Sequence, residues 1–102
     1  ALNEAIKQQR AALILTPNAP RVLLNLGAAL KDKGDVDGAI AGFRQALDGE
    51  PGLFEARYNL ILCLVQKGDV GEAGRAFADL ARRHPERGEQ LAALRRAMAG
   101  TP

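Results

Sequence analysis

The 102-residue sequence lacks several residue types that common enzyme chemistry needs. It contains no Ser and only two Thr, Thr16 and Thr101, so serine-nucleophile catalysis is excluded. A single Cys and a single His allow neither an internal disulfide nor a closed zinc site within one chain. Trp is absent, and no apolar run approaches the roughly 18 residues of a membrane span. The sequence therefore predicts no catalytic residue, no metal site, no cofactor and no membrane span.

Charge is nearly balanced, which sets no strong expectation about a polyanionic partner. Lys and Arg total 14 against 12 Asp and Glu, a formal net charge of +2. Arg82-Arg83 and Arg95-Arg96 make the C-terminal end mildly basic, but no stacking aromatics accompany them. Solvated arginines or an acidic partner are favoured over nucleic acid. The N-terminus has no signal-peptide pattern and no initiating Met, so we expect a piece of a longer chain and slightly favour the cytoplasm.

An internal repeat with a period of 34 residues runs through the chain. Lys33-Gly34-Asp35-Val36 recurs as Lys67-Gly68-Asp69-Val70. The same shift relates Asn25 to Asn59, Leu30 to Leu64, Ala39 to Ala73, Phe43 to Phe77 and Pro51 to Pro85. Backwards, it relates Ala39 to Ala5, Ile40 to Ile6, Leu47 to Leu13 and Pro51 to Pro17. The 34-residue spacing is the same in three successive segments of the sequence, which indicates a repeat protein.

Each repeat is predicted to be a helical hairpin. Apolar residues recur at steps of three and four, the spacing of a helix with one buried face. Gly34 suits a helix C-terminus, and Asp35 is placed to cap the next helix. Pro51 ends the second helix, and Gly27 allows two helix axes to approach closely. A lone hairpin cannot bury both apolar faces, so neighbouring hairpins must stack into a solenoid.

These residues resemble the tetratricopeptide repeat family, whose unit is a helix–turn–helix of this period. Residues 20–53 match it with Leu26-Gly27, Ala39, Phe43, Ala46 and Pro51, and residues 54–87 match it with Leu60, Ala73, Phe77 and Pro85. The second unit departs from the family pattern at Arg57, Ile61 and Leu80. Residues 1–19 are similar to the second helix of a preceding unit, and residues 88–102 to a capping helix and tail. The resemblance implies an all-α, right-handed α-solenoid.

The resemblance also implies a binding surface on the concave wall, where the first helix of each unit faces a peptide or partner segment. The positions that correspond are Arg21, Leu24, Asn25, Ala28 and Asp32 in the first unit, Glu55, Tyr58, Asn59, Leu62 and Gln66 in the second, and Glu89, Ala92 and Arg96 in the cap. A side-chain amide can pair with any peptide backbone, so Asn25 and Asn59 carry most weight. A carboxylate-binding clamp is disfavoured, because Leu24 and Ala28 stand where it would need polar residues. The expected function is a non-catalytic scaffold or adaptor.

Two other functions stay open at this point. The repeats could be the accessory region of a larger enzyme such as a transferase. They could also serve self-association, because Leu2, Ile6 and Leu13 would lose part of their cover without a preceding helix. Among isolated residues, Cys63 lies in an apolar run and is predicted to be a buried hydrophobe. His84 is predicted to be a surface residue between helices.

Overall fold

A computed structural model describes residues 2–15 and 19–100, and these residues form six α-helices and no β-strand. The helices are α1 (Leu2–Leu15), α2 (Pro20–Lys33), α3 (Val36–Gly49), α4 (Phe54–Lys67), α5 (Val70–Arg83) and α6 (Gly88–Met98). Each helix packs against the next one along the chain. The prediction of an all-α solenoid is confirmed, and no helix in the described ranges is long and apolar enough to cross a membrane.

The turns between α2 and α3 and between α4 and α5 have the same geometry. Gly34 and Gly68 have φ angles of +96° and +91°, a left-handed backbone that favours glycine. The amides of Gly34 and Asp35 donate to the carbonyls of Lys31 and Leu30 at 3.0 and 2.9 Å. Equivalent bonds follow α4, so the sequence repeat is also a repeat of helix-ending geometry.

Aspartate side chains cap the second helix of each hairpin. Asp35 accepts a hydrogen bond from the Gly38 amide at 2.9 Å, and Asp69 accepts one from the Glu72 amide at 3.2 Å. At the other end, α3 stops at Gly49 and the backbone of Glu50 is no longer helical, with φ −141° and ψ 87°. The cap at Asp35 and the break before Pro51 are as predicted.

The core is continuous from α1 to α6. Its largest fully buried side chains are Phe43, Ile61, Leu64, Leu80, Leu94 and Cys63. Gly27 is essential to the contact between α2 and α3, because a Cβ atom there would lie 2.7 Å from Cε1 of Phe43. On α6, Leu91 and Leu94 are buried and Met98 is half-buried, as predicted for a capping helix.

The helices form two rows that differ in spacing. In the first row, α2 contacts α4 and α4 contacts α6. In the second row, no Cα atom of α3 lies within 8 Å of one in α5. The helices of the first row are therefore more closely spaced than those of the second. We call the exposed side of α2, α4 and α6 the inner face, and the exposed side of α3 and α5 the outer face.

Two expectations about single residues are wrong. The sequence predicts that Ile6 is partly exposed when no helix precedes α1. In the structure Ile6 is only 8% exposed and belongs to the core, and the half-buried Leu2 packs against this core. Leu13 lies outside the described side chains. His84 is not a surface residue, because its side chain is 17% exposed and its ring meets that of Phe54 edge-on at 5.2 Å. The turn between α5 and α6 is therefore packed against the start of α4.

Candidate functional site

The predicted binding residues of α2 form a stripe along one side of that helix, since their steps of three and four residues return to the same face. Arg21, Asn25 and Asp32 are exposed, and Ala28 is half-buried. Leu24 is only 8% exposed and belongs to the core. The stripe therefore offers a polar surface with a small apolar centre, and Leu24 supports it from beneath.

The stripe on α4 is more apolar than the one on α2. Glu55 and Gln66 are exposed at its two ends, whereas Tyr58, Asn59 and Leu62 between them are half-buried. Because α2 contacts α4 and α4 contacts α6, the three helices that carry the predicted residues lie side by side. On α6, Glu89, Ala92 and Arg96 are exposed.

Tyr58 is held in place by an aromatic cluster at the start of α4. Its ring centroid lies 5.7 Å from that of Phe54, which is 6% exposed. The guanidinium of Arg87 lies 4.4 Å from the centroid of the Phe54 ring, and His84 packs on the ring edge. No local pattern predicts this cluster, because its members come from α4 and from the turn before α6.

The two asparagines of the inner face have no hydrogen-bond partner within the described part of the chain. Neither the Asn25 amide nor the Asn59 amide takes part in any intramolecular hydrogen bond there. Asn59 is nevertheless half-buried, so its orientation is restricted by its neighbours. Each amide keeps both a donor and an acceptor available to a ligand.

Several charged side chains of α3, α4 and α5 form ion pairs with one another. Arg44 on α3 reaches Glu72 on α5 at 2.6 Å, and Lys67 on α4 reaches Asp37 on α3 at 2.7 Å. Arg57 donates to Oδ2 of Asp79 at 2.6 Å and to the Pro51 carbonyl at 2.8 Å. Arg57 occupies a position at which the family that the sequence resembles often has Trp. An ion pair therefore replaces an aromatic contact at this position.

Asp79 is the centre of this arginine network. Arg83 Nε lies 2.8 Å from its Oδ2 atom, and Arg82 also donates to the carboxylate. Burial alone would raise the pKa of Asp79, but the Arg83 hydrogen bond and the charges of Arg57, Arg83 and Arg82 outweigh it and lower the pKa. Arg95, from the other arginine pair, lies 5.3 Å from the Phe77 ring centroid. The arginines considered as a basic face therefore have interactions within the chain.

A well-defined cavity among the described residues does not lie on the predicted face. It occupies about 590 Å³ between α3 and α5 on the outer face, with α4 beneath. Its lining residues are Arg44, Leu47, Asp48, Arg57, Leu60, Glu72, Arg75, Ala76 and Asp79. The sequence did not predict this cavity, because its lining depends on the distance between α3 and α5, the second helices of the two hairpins.

The only cysteine has the environment of a core residue. Cys63 is 0% exposed, and burial raises the pKa of its thiol, with the positive charge of Lys31 acting in the opposite direction. A thiol that is both buried and protonated is a poor nucleophile. Within the ranges 2–15 and 19–100, no group of three His, Cys, Asp or Glu residues could hold a metal ion.

Comparison with known proteins gives two matches to family models and none to a curated protein. A model described as tetratricopeptide repeat matches residues 30–98. A second model with the same description matches residues 1–53. Together the two matches span the six helices.

Proposed function

Because the chain belongs to the tetratricopeptide repeat family, whose repeats are generally protein–protein interaction modules, we propose that its inner face binds an extended peptide or a segment of a partner protein. The family is generally non-catalytic. The proposed role is that of a scaffold or adaptor, with no chemistry carried out by the chain itself.

The free amides of Asn25 and Asn59 are the observation that carries this proposal. They stand on adjacent helices, and neither is used within the described residues. An extended peptide presents backbone N–H and C=O groups along its whole length, whatever its side chains are. An amide can donate to one and accept from the other, so the pair can hold a ligand backbone in a defined orientation.

Affinity comes from the apolar part of the same surface. Tyr58 and Leu62 are half-buried, so a ligand side chain placed on them completes the removal of apolar area from water. The packing of Tyr58 on Phe54 fixes its ring before the ligand arrives, which lowers the entropic cost of binding. Leu24 lies beneath this surface and acts through packing.

Charged residues at the edges select the partner's charge. Arg21 and Asp32 are exposed towards the two ends of α2, Glu55 is exposed at the start of α4, and Arg96 is exposed on α6. Exposed charges of this kind change the rate of association and the choice of partner more than they change affinity. Both signs are present, so the preferred partner carries both signs too.

The proposal is tested with a peptide selected from a random display library on the intact chain. Isothermal titration then compares the wild type with Asn59→Ala and Tyr58→Ala, which removes the apolar ring. Loss of one ligand hydrogen bond at Asn59 should weaken binding by about 5- to 12-fold, equivalent to about 1–1.5 kcal/mol. Gln45→Ala removes an exposed amide from α3 and serves as the matched control, with no change expected.

Circular dichroism checks that each variant keeps its helix content. Wild-type affinity in both Asn59→Ala and Tyr58→Ala would reject the inner face as the binding surface. An equal loss in Gln45→Ala would also reject it, because the effect would then not belong to that face.

A further inference from the structure

The cavity between α3 and α5, which we call the outer groove, has the size of a ligand site. Its volume of about 590 Å³ falls within the range of roughly 300–1,000 Å³ that small ligands and side chains occupy. The groove exists because α3 and α5 do not approach each other, while α4 closes its base.

The walls of the groove are fixed by two ion pairs. Arg44 and Glu72 connect α3 to α5 at 2.6 Å, with side chains 50% and 36% exposed. Arg57 and Asp79 connect α4 to α5 at 2.6 Å and are much less exposed, at 15% and 22%. Between these pairs, Leu47, Leu60 and Ala76 contribute an apolar surface.

Two charged side chains of the groove are left over once these pairs are formed. Of its three arginines and three acidic residues, Arg75 on α5 and Asp48 on α3 form no hydrogen bond or ion pair in the described part of the chain. Both are exposed. The groove therefore presents one uncompensated positive and one uncompensated negative group beside an apolar surface.

We propose that the outer groove binds a peptide segment that carries one acidic and one basic side chain with an aliphatic residue between them. The acidic side chain pairs with the guanidinium of Arg75, which can hold a carboxylate through two hydrogen bonds. The basic side chain pairs with Asp48, and the aliphatic one covers Leu47, Leu60 and Ala76. The balanced charge of the lining opposes a polyanion such as nucleic acid, which requires uncompensated cations.

This surface is separate from the inner face, so the proposal stands or fails independently of the proposed function. The test is a titration of the ¹⁵N-labelled chain followed by two-dimensional NMR. The probes are the blocked tripeptides acetyl-Lys-Leu-Glu-amide and acetyl-Glu-Leu-Lys-amide, with acetyl-Gln-Leu-Gln-amide as the neutral control. At least one charged peptide should produce saturable shifts at the amides of Leu47, Leu60 and Ala76. The neutral peptide should bind at least about 5-fold more weakly.

Two variants assign the charged contacts. Arg75→Gln and Asp48→Asn should each weaken the charged peptide at least about 5-fold, because each removes one ion pair that is formed only in the complex. Arg10→Gln and Glu4→Gln each remove one exposed charge from α1, which does not line the groove, and they should leave the affinity unchanged.

Four results would overturn the proposal. The charged peptides could cause no saturable shift at the groove residues. The neutral peptide could bind as tightly as the charged ones, or Arg75→Gln and Asp48→Asn could bind like the wild type. Equal shifts with inorganic phosphate alone would also overturn it, because the groove would then be a simple anion site.

Discussion

Gly27 is the position where the packing of α2 on α3 leaves least room for change. A Cβ atom added there would lie 2.7 Å from Cε1 and 2.9 Å from Cδ1 of Phe43, whereas carbon atoms in ordinary contact stand about 3.5–4.0 Å apart. The Phe43 side chain is 0% exposed, so its ring cannot move without displacing other core residues. The substitution Gly27→Ala must therefore push α2 away from α3.

The size of the effect follows from two opposing contributions. Overpacking of a well-filled core costs about 1–3 kcal/mol. Replacing a glycine inside a helix by alanine stabilises the helix by about 0.5–1 kcal/mol. Gly74→Ala in α5 makes the same replacement with no atom within 4 Å, so it receives only the stabilising contribution. The difference in unfolding free energy between the two variants should be about 1–3 kcal/mol.

Urea unfolding followed by circular dichroism measures this difference directly. We expect Gly27→Ala to melt at least about 4 °C below Gly74→Ala in a thermal scan. Phe43→Leu shortens the obstructing side chain, so a double-mutant cycle of Gly27→Ala and Phe43→Leu should show favourable coupling. If Gly27→Ala is as stable as Gly74→Ala, or the cycle shows no coupling, the close approach of α2 and α3 is refuted.

The remaining predictions concern an ion pair, a turn and the thiol. Asp79→Asn should lower the unfolding free energy by about 1–3 kcal/mol at pH 7. Because the folded state lowers the pKa of Asp79, this stabilisation is complete above the unfolded pKa of about 3.9 and is lost as pH falls through the folded pKa. Urea titrations at pH 7 and pH 2.5 check this, and a pH-independent difference would contradict it. Gly34→Ala should cost about 1–2 kcal/mol in the same assay because φ is +96°, whereas Gly52→Ala should have little effect, and equal costs would count against the turn geometry. Cys63 should react with a disulfide reagent only after urea unfolding, and rapid reaction in the folded chain would disprove its burial.

The parts of the fold that sequence predicted are those set by neighbouring residues. Local patterns were enough to predict the turns at Gly34 and Gly68 and the cap at Asp35, because each of these features depends on a few consecutive residues. The stripe of inner-face positions follows from helical spacing, but spacing cannot distinguish an exposed member such as Asn25 from a buried one such as Leu24. That distinction depends on the helices packed on either side.

The parts that sequence missed are set by contacts between helices. Arg57 and Asp79 are 22 residues apart and follow no period, so nothing in the pattern joins them. The outer groove depends on the separation of α3 and α5, which no single position encodes. His84 precedes a proline in an apparent linker, yet its ring packs on Phe54, because the turn before α6 folds back onto α4.

The most direct test of the central claim is the affinity of a display-selected peptide for the double variant Asn25→Ala/Asn59→Ala. If the two amides act independently on the ligand backbone, their losses multiply to about 25-fold or more. The double variant Asn3→Ala/Gln45→Ala removes two exposed amides from α1 and α3, outside the inner face, and should bind like the wild type. An affinity of the asparagine variant within about twofold of the wild type would contradict the claim that the inner face is the binding surface.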